Sequence, residues 1–176
     1  MRAFAALLVL GLCAGCEEST RQTENHKRNL AFQAQFEREM READPGSWAP
    51  ARLLEALAVA DHNLRAQAAA ELARRKDPAA SAALRRCLAT EEHDIVAAEC
   101  ARALLAIGWP EDYTAVRTYV AANTAEVHSL LIGALGQVDV DWAAELLREI
   151  QAQTKDNARR AQAQRALEAR RHRLGD

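Results

Sequence analysis

Four short stretches of the chain repeat one helical pattern at a nearly constant interval. They are Leu64-Arg65 with Ala68-Ala69 and Leu72; Val96 with Cys100, Ala101, Arg102, Ala103 and Leu104; Val127 with Leu131, Ile132, Gly133, Ala134 and Leu135; and Arg159-Arg160 with Ala163, Ala166 and Leu167. The closing leucines stand at 72, 104, 135 and 167, so the steps are 32, 31 and 32 residues. A period of that size predicts one helical pair per repeat, stacked into an α-solenoid. A solenoid presents an extended surface in place of a pocket, which points to binding more than to chemistry.

Alanine, leucine, arginine and glutamate dominate, with few glycines, aromatics or β-branched residues, and no alternating apolar/polar run suggests a strand. The expected class is all-α, with about four helix pairs: 49–60 with 63–76, 78–90 with 94–107, 110–122 with 125–136, and 139–153 with 157–173. Pro50, Pro78 and Pro110 fall where first helices should begin, since proline suits the first helical turn. Asp61 to Asn63, Asp94, Thr124 and Asp156-Asn157 precede the second helices and are expected to cap them. The first helices carry apolar stripes at three- and four-residue spacing: Leu53/Leu54/Leu57, Leu84/Cys87/Leu88, Tyr113/Val116/Tyr119/Val120 and Trp142/Leu146/Leu147/Ile150. No pair can bury its stripe alone, so neighbours must stack.

The repeat region, 49–176 as a domain, is similar to HEAT-type (armadillo-type) repeats, whose second helix carries Val-Arg, a small Ala-Ala pair and Ala-Leu. Leu64-Arg65, Ala68-Ala69 and Leu72 keep that pattern, while the arginine position becomes Ala97, His128 and Arg160 in later repeats. The resemblance implies an inter-repeat polar ladder that is incomplete here. Tetratricopeptide repeats share the period, but their Trp-Leu-Gly-Tyr pattern is missing.

The first residues read as an export signal. Met1-Arg2 gives one positive charge, Ala3 to Leu12 is apolar, and the run is shorter than the about 20 residues a permanent span requires. The following Leu12-Cys13-Ala14-Gly15-Cys16 resembles the bacterial lipoprotein box, from which Cys13 departs in place of the usual leucine. The resemblance implies a signal peptide over 1–15, lipidation of Cys16 by fatty acyl groups such as palmitate, and a membrane anchor. Glu17, where an aspartate would favour the inner membrane, implies the outer membrane facing the periplasm. An ordinary cleaved signal with incidental cysteines is the alternative. Residues 16–48 then comprise the lipidated cysteine, a polar tether and an N-terminal helix from about 23 to 43, whose Phe32, Phe36 and Met40 either cap the first pair or dock a partner.

From Cys16 onward, 22 basic residues face 25 acidic ones, which gives no basic footprint for a nucleic acid. The last helix carries Arg159, Arg160, Arg165, Arg170, Arg171 and Arg173, either as the polar face of a closing repeat or as a contact for anionic headgroups. Chemistry finds little support. Glu91-Glu92-His93-Asp94, with His62 and His128 in the matching loops, is expected to string its histidines some 10 Å apart, too far to share a zinc ion. HEAT-type hydroxylases hold iron through His-Glu dipeptides, which the chain lacks. Cys87 and Cys100 read as core thiols; a disulfide is permitted, but their offset along adjacent helices argues against it. Catalytic, cofactor and metal sites are therefore not expected, nor a small-molecule substrate.

The more suggestive surface lies on the second helices, at Ala66, Ala70, Ala73, Ala98, Arg102, Ser129, Gly133 and Arg165. Mostly small side chains there would let another backbone approach, although the N-terminal helix filling the groove, or tight curvature, would explain them equally. Trp109 is either a hot-spot anchor or folded onto its own repeat. The expectation is a lipid-anchored adaptor or assembly scaffold that binds an unidentified protein partner. An enzyme or enzyme subunit on a HEAT-like scaffold, as in the bilin lyases, and a purely structural envelope lipoprotein are the alternatives.

Overall fold

A computed structural model describes residues 23–39 and 44–175, so Cys13, Cys16, the signal segment and Met40 lie outside the described residues. Among the described residues every regular element is helical and none is a strand. The chain divides between 42 and 43 into two compact units. The first holds helix α1 (23–39), along which the Phe32 and Phe36 rings stack with centroids 6.4 Å apart.

The second unit opens with a 3-10 turn at Pro45–Ser47. It then runs through α2 (Pro50–Ala56), α3 (His62–Arg75), α4 (Ser81–Thr90), α5 (Asp94–Ile107), α6 (Pro110–Asn123), α7 (Ser129–Gln137), α8 (Asp141–Gln153) and α9 (Asn157–Leu174). The punctuation is largely local chemistry. Pro50 and Pro110 start their helices, and Pro78 starts a 3-10 turn (Pro78–Ala80) ahead of α4. Asp61 Oδ1 accepts from the Asn63 and Leu64 amides at 2.8 and 3.4 Å, and Asp156 Oδ1 accepts from Ala158 and Arg159 at 2.7 and 3.4 Å. Gly108 ends α5 at φ +82°, where a Cβ would also stand 2.9 Å from the Tyr113 hydroxyl.

Three expected boundaries shift. Helix α2 stops at Ala56, not 60, because Ala58 and Val59 donate three residues back and tighten the chain into a turn. Helix α7 begins at Ser129, not 125. Thr124 does not cap it: the Thr124 hydroxyl donates to Gln153 Oε1 at 2.6 Å, and His128 Nδ1 accepts from the Leu130 amide instead. Asp94 lies inside α5 as its first residue, its carboxylate accepting from the next amide, Ile95, at 2.7 Å.

Helices α3, α5, α7 and α9 pack in succession, as do α4, α6 and α8; the two rows meet through α2–α3, α4–α5, α5–α6, α7–α8 and α8–α9. Between the rows lies the core. Leu72, Leu104 and Leu135 are fully buried and Leu167 nearly so, joined by Leu64 and by Leu53, Leu84, Val116, Leu147 and Ile150 from the predicted stripes. Each buried leucine contributes about 1.5–3 kcal/mol relative to exposure. Trp48 is buried as well, and Arg75 reaches back to the Gly46 carbonyl at 3.1 Å, so 44–48 pack with the second unit.

Candidate functional site

Of the eight positions expected to line a small-residue face, two are not on the surface. Ala73 is 3% exposed and Ala98 is 1% exposed. Helix α5 is in contact with α3, α4, α6 and α7, which leaves little of its circumference for solvent, and Ala98 falls under that cover. Ala66 and Ala70 are half-buried, and half-buried Arg102 is engaged by Glu99 at 2.6 Å. Ser129 is exposed, although its carbonyl accepts from Gln162 Nε2 at 2.7 Å. Gly133 opens onto space, since an added Cβ would meet nothing within 4 Å, and Arg165 is exposed. The openings thus concentrate on α3 and on the α7–α9 side, with α5 contributing Arg102 alone of its two positions.

The loop cluster is tighter than the sequence suggests. Arg65 grips Glu91 with two parallel bonds, Nε to Oε2 and Nη2 to Oε1, each 2.8 Å. Its Nη1 also donates to the Val59 and Ala60 carbonyls at 2.9 and 2.8 Å, satisfying backbone left open where α2 ends. The Arg65 guanidinium holds the Glu91 carboxyl below the usual carboxylate range, assisted by the His93 amide at 3.0 Å. Such a carboxylate is a poor proton acceptor near neutral pH.

His62 and His93 are not 10 Å apart: their rings stack 4.4 Å centroid to centroid, 14° from parallel. The distance between helix axes overstates the gap, because α3 and α5 pack directly, with His62 first in α3 and His93 the residue that precedes α5. His128 is instead occupied in capping α7. No group of three His, Cys, Asp or Glu side chains with metal-binding geometry occurs among the described residues.

Cys87 and Cys100 are both free thiols and both buried, on the packed helices α4 and α5.

A third cluster escaped the sequence reading. Asp112 is fully buried; its Oδ1 accepts from the Ser81 hydroxyl at 2.5 Å and from Arg85 Nη1 at 3.2 Å, while Oδ2 has no partner among the described residues. The bond joins α4 to α6, and its only signal was that Ser81 and Asp112 stand 31 residues apart, one period. It reads as inter-helix glue: the hydroxyl is tied to a carboxylate, and no histidine among the described residues hydrogen-bonds it.

The arginines of α9 are largely spent within the fold. Arg160 donates to the Thr154 carbonyl at 2.7 Å, Arg170 to that of Val138, and Arg173 to that of Gly136 at 2.8 Å and to Asp139. Arg159 pairs with Asp156 at 3.6 Å. Arg165 and Arg171 remain as exposed cations, Arg171 beside Asp141, Glu145 and Arg148 in an open cavity of about 520 Å³. Trp109 is 46% exposed, so it does not fold away onto its own repeat. Comparison with protein-family models, with curated proteins and with solved structures finds no match in any of the three.

Proposed function

We propose that the chain is a lipid-anchored bacterial envelope lipoprotein whose HEAT-like solenoid binds a protein partner, as an adaptor or assembly scaffold, without chemistry of its own. The observation that carries the solenoid reading is a set of hydrogen bonds between elements about one period apart. Ser81 bonds Asp112 across 31 residues, Thr124 bonds Gln153 across 29, Gln162 bonds the Ser129 carbonyl across 33 and Arg170 bonds the Val138 carbonyl across 32. Bonds at that separation are what stacked, nearest-neighbour modules require.

Binding is supported by where small and polar surface remains: Ala66 and Ala70 on α3, Ser129 and Gly133 on α7, Arg165 on α9, with Trp109 as an exposed aromatic outside that set. His128, Glu91 and Ser81 are committed to a cap, an ion pair and an inter-helix bond, which supports a non-catalytic role. Anchoring rests on Cys16 in its lipoprotein-box setting; no described helix is long and apolar enough to cross a membrane. Each acyl chain would add about 0.8 kcal/mol per buried CH2, and two or more hold stably.

One experiment tests both halves. A photo-crosslinking residue is placed at Gly133 or at Arg117, on exposed α6, in the native chain and in Cys16→Ala, and envelopes are fractionated after irradiation. The expected result is a discrete adduct from Gly133 alone, in the membrane fraction for the native chain and displaced from it for Cys16→Ala. Equal adducts from both faces, or none, would defeat partner binding; unchanged membrane association of Cys16→Ala would defeat the anchor.

A further inference from the structure

Each helix from α3 to α7 packs against the one two places later in the chain. Helices α8 and α9 have no such cover among the described residues, and the groove between them is an open cavity of about 520 Å³. Asp141, Ala144, Glu145 and Arg148 form its α8 wall, at the i, i+3, i+4, i+7 spacing of a single helix face. Leu174 lines the α9 side and is 44% exposed. Asp141, Glu145, Arg148 and, on α9, Arg171 are all exposed, and none forms an ion pair with another side chain among the described residues. Asp141 and Arg148 stand about 10.5 Å apart along one helix, too far to pair with each other. We infer that this face binds a second copy of the chain, related by a two-fold axis that crosses α8 between Ala144 and Glu145.

The order of the charges argues for a copy of the same face. When two α8 helices lie antiparallel across that axis, Asp141 of each meets Arg148 of the other, and Ala144 meets Glu145. The axis is the midpoint between the acid and the base, so both ion pairs form together. Ala144 is small enough to let the helices approach, and Arg171 in the same groove offsets the two Glu145 carboxylates beside the axis. A small ion would call for one sign of charge, whereas this groove holds two unpaired groups of each. The far end of the same unit offers no matching face. Residues 44–48 lie over α3 there, with Trp48 3% exposed and Arg75 bonded to the Gly46 carbonyl. A head-to-tail contact is therefore disfavoured, and a closed pair is what the face fits. A face of two helices falls at the low end of specific interfaces, about 1,200 Å² or less in total, so the dimer is a reversible one. The inference uses neither the anchor nor the partner face at Gly133.

Ala144→Cys places a thiol beside the axis, where a disulfide can join the two copies. The full-length variant is purified, treated briefly with a copper–phenanthroline oxidant and run on a non-reducing gel. The expected product is a linked pair of twice the chain mass, reversed by dithiothreitol. It should be absent from the native chain and from Arg117→Cys, on exposed α6. Asp141→Arg in the Ala144→Cys chain should lower the yield at least about 10-fold, because the axis turns both attractive pairs repulsive. Adding Arg148→Asp restores opposite signs with their places exchanged, and should recover most of the yield. A far-ultraviolet circular dichroism spectrum confirms that each variant is folded. The native chain gives an independent reading: its sedimenting mass should rise towards the dimer with concentration and fall back in high salt. A mass that stays monomeric at every concentration would overturn the inference, as would no linked pair from Ala144→Cys or an equal one from Arg117→Cys. So would an undiminished yield with Asp141→Arg, or no recovery when Arg148→Asp is added.

Discussion

Helices α5 and α9 are both second members of their pairs, and they are held by opposite means. In α5, eight of fourteen residues are buried, four of them alanines, and four neighbouring helices close around it. In α9 only Ala163, Leu167 and Arg170 are buried, and its principal neighbours are α7 and α8. What α9 lacks in apolar contact it makes up with guanidinium groups that bond the backbone carbonyls of Gly136, Val138 and Thr154. An interior helix is held by shape and the exclusion of water. A terminal helix with one face in solvent is held by charge-assisted bonds to backbone ends that would otherwise be unpaired. The contrast also shows why a run of arginines is weak evidence for an anionic ligand: most of these are committed before any ligand arrives.

The comparison breaks first at Leu104, fully buried at the centre of α5. Leu104→Asp places an unpaired charge among the alanines and should cost more than about 4 kcal/mol, enough to abolish cooperative melting. A normal helical spectrum and melting curve for that variant would mean that α5 is not the interior helix.

A subtler break compares Arg65 and Arg160, each near the start of its helix, α3 and α9. Each donates to a carbonyl six residues back, Val59 and Thr154. Arg65 also anchors Glu91, and the two side chains are 14% and 7% exposed, whereas Arg160 is exposed. Arg65→Ala should therefore cost about 2–3 kcal/mol, since a shielded carboxylate and two carbonyls lose their donor. Arg160→Ala should cost about 1 kcal/mol or less. Acid sharpens the distinction. The folded-state value of Glu91 lies below its unfolded one, principally because Arg65 bonds it, so its contribution is complete above the unfolded value of about 4.3 and fades as pH falls through the lower folded value. Denaturant melts at pH 7 and pH 3 should show Arg65→Ala losing less on acidification than the native chain. Equal losses would place the acid sensitivity elsewhere, with Glu71 the next candidate: hydrogen bonds from Arg74 and then Arg75 hold its carboxyl at about 2.

The periodic leucines were legible because hydrophobic spacing survives any detail of packing; all four closing positions are buried. Contacts across the period were not. Ser81 and Asp112 each look like surface residues near a proline, and only the 3-10 turn at Pro78–Ala80 brings Ser81 inward against α6. Thr124 has the chemistry of a cap and was assigned as one, but the Gln153 amide oxygen competes for its hydroxyl, and His128 takes the cap. Ala73 and Ala98 were misplaced for a related reason. Alanine on a helix gives no sign of whether it faces solvent or a neighbour's backbone, so a small-residue stripe cannot be divided between groove and core without the packing.

Two glycines on α7 divide that stripe experimentally, and they carry the smallest effects. At Gly136 a Cβ would stand 3.0 Å from the Ala166 Cβ and 3.3 Å from its Cα, so α9 must move to admit it. Gly136→Ala should therefore lose about 1 kcal/mol despite alanine's better helix propensity. At Gly133, on the same helix, nothing lies within 4 Å, and Gly133→Ala should gain about 0.5–1 kcal/mol from propensity alone. Opposite signs one turn apart, read from urea midpoints at equal slope, would establish that α9 covers α7 at Gly136 and leaves it open at Gly133. Destabilisation at both positions would close the opening at Gly133 and remove it from the binding face. A small open position can receive a partner only if the protein itself leaves it unused.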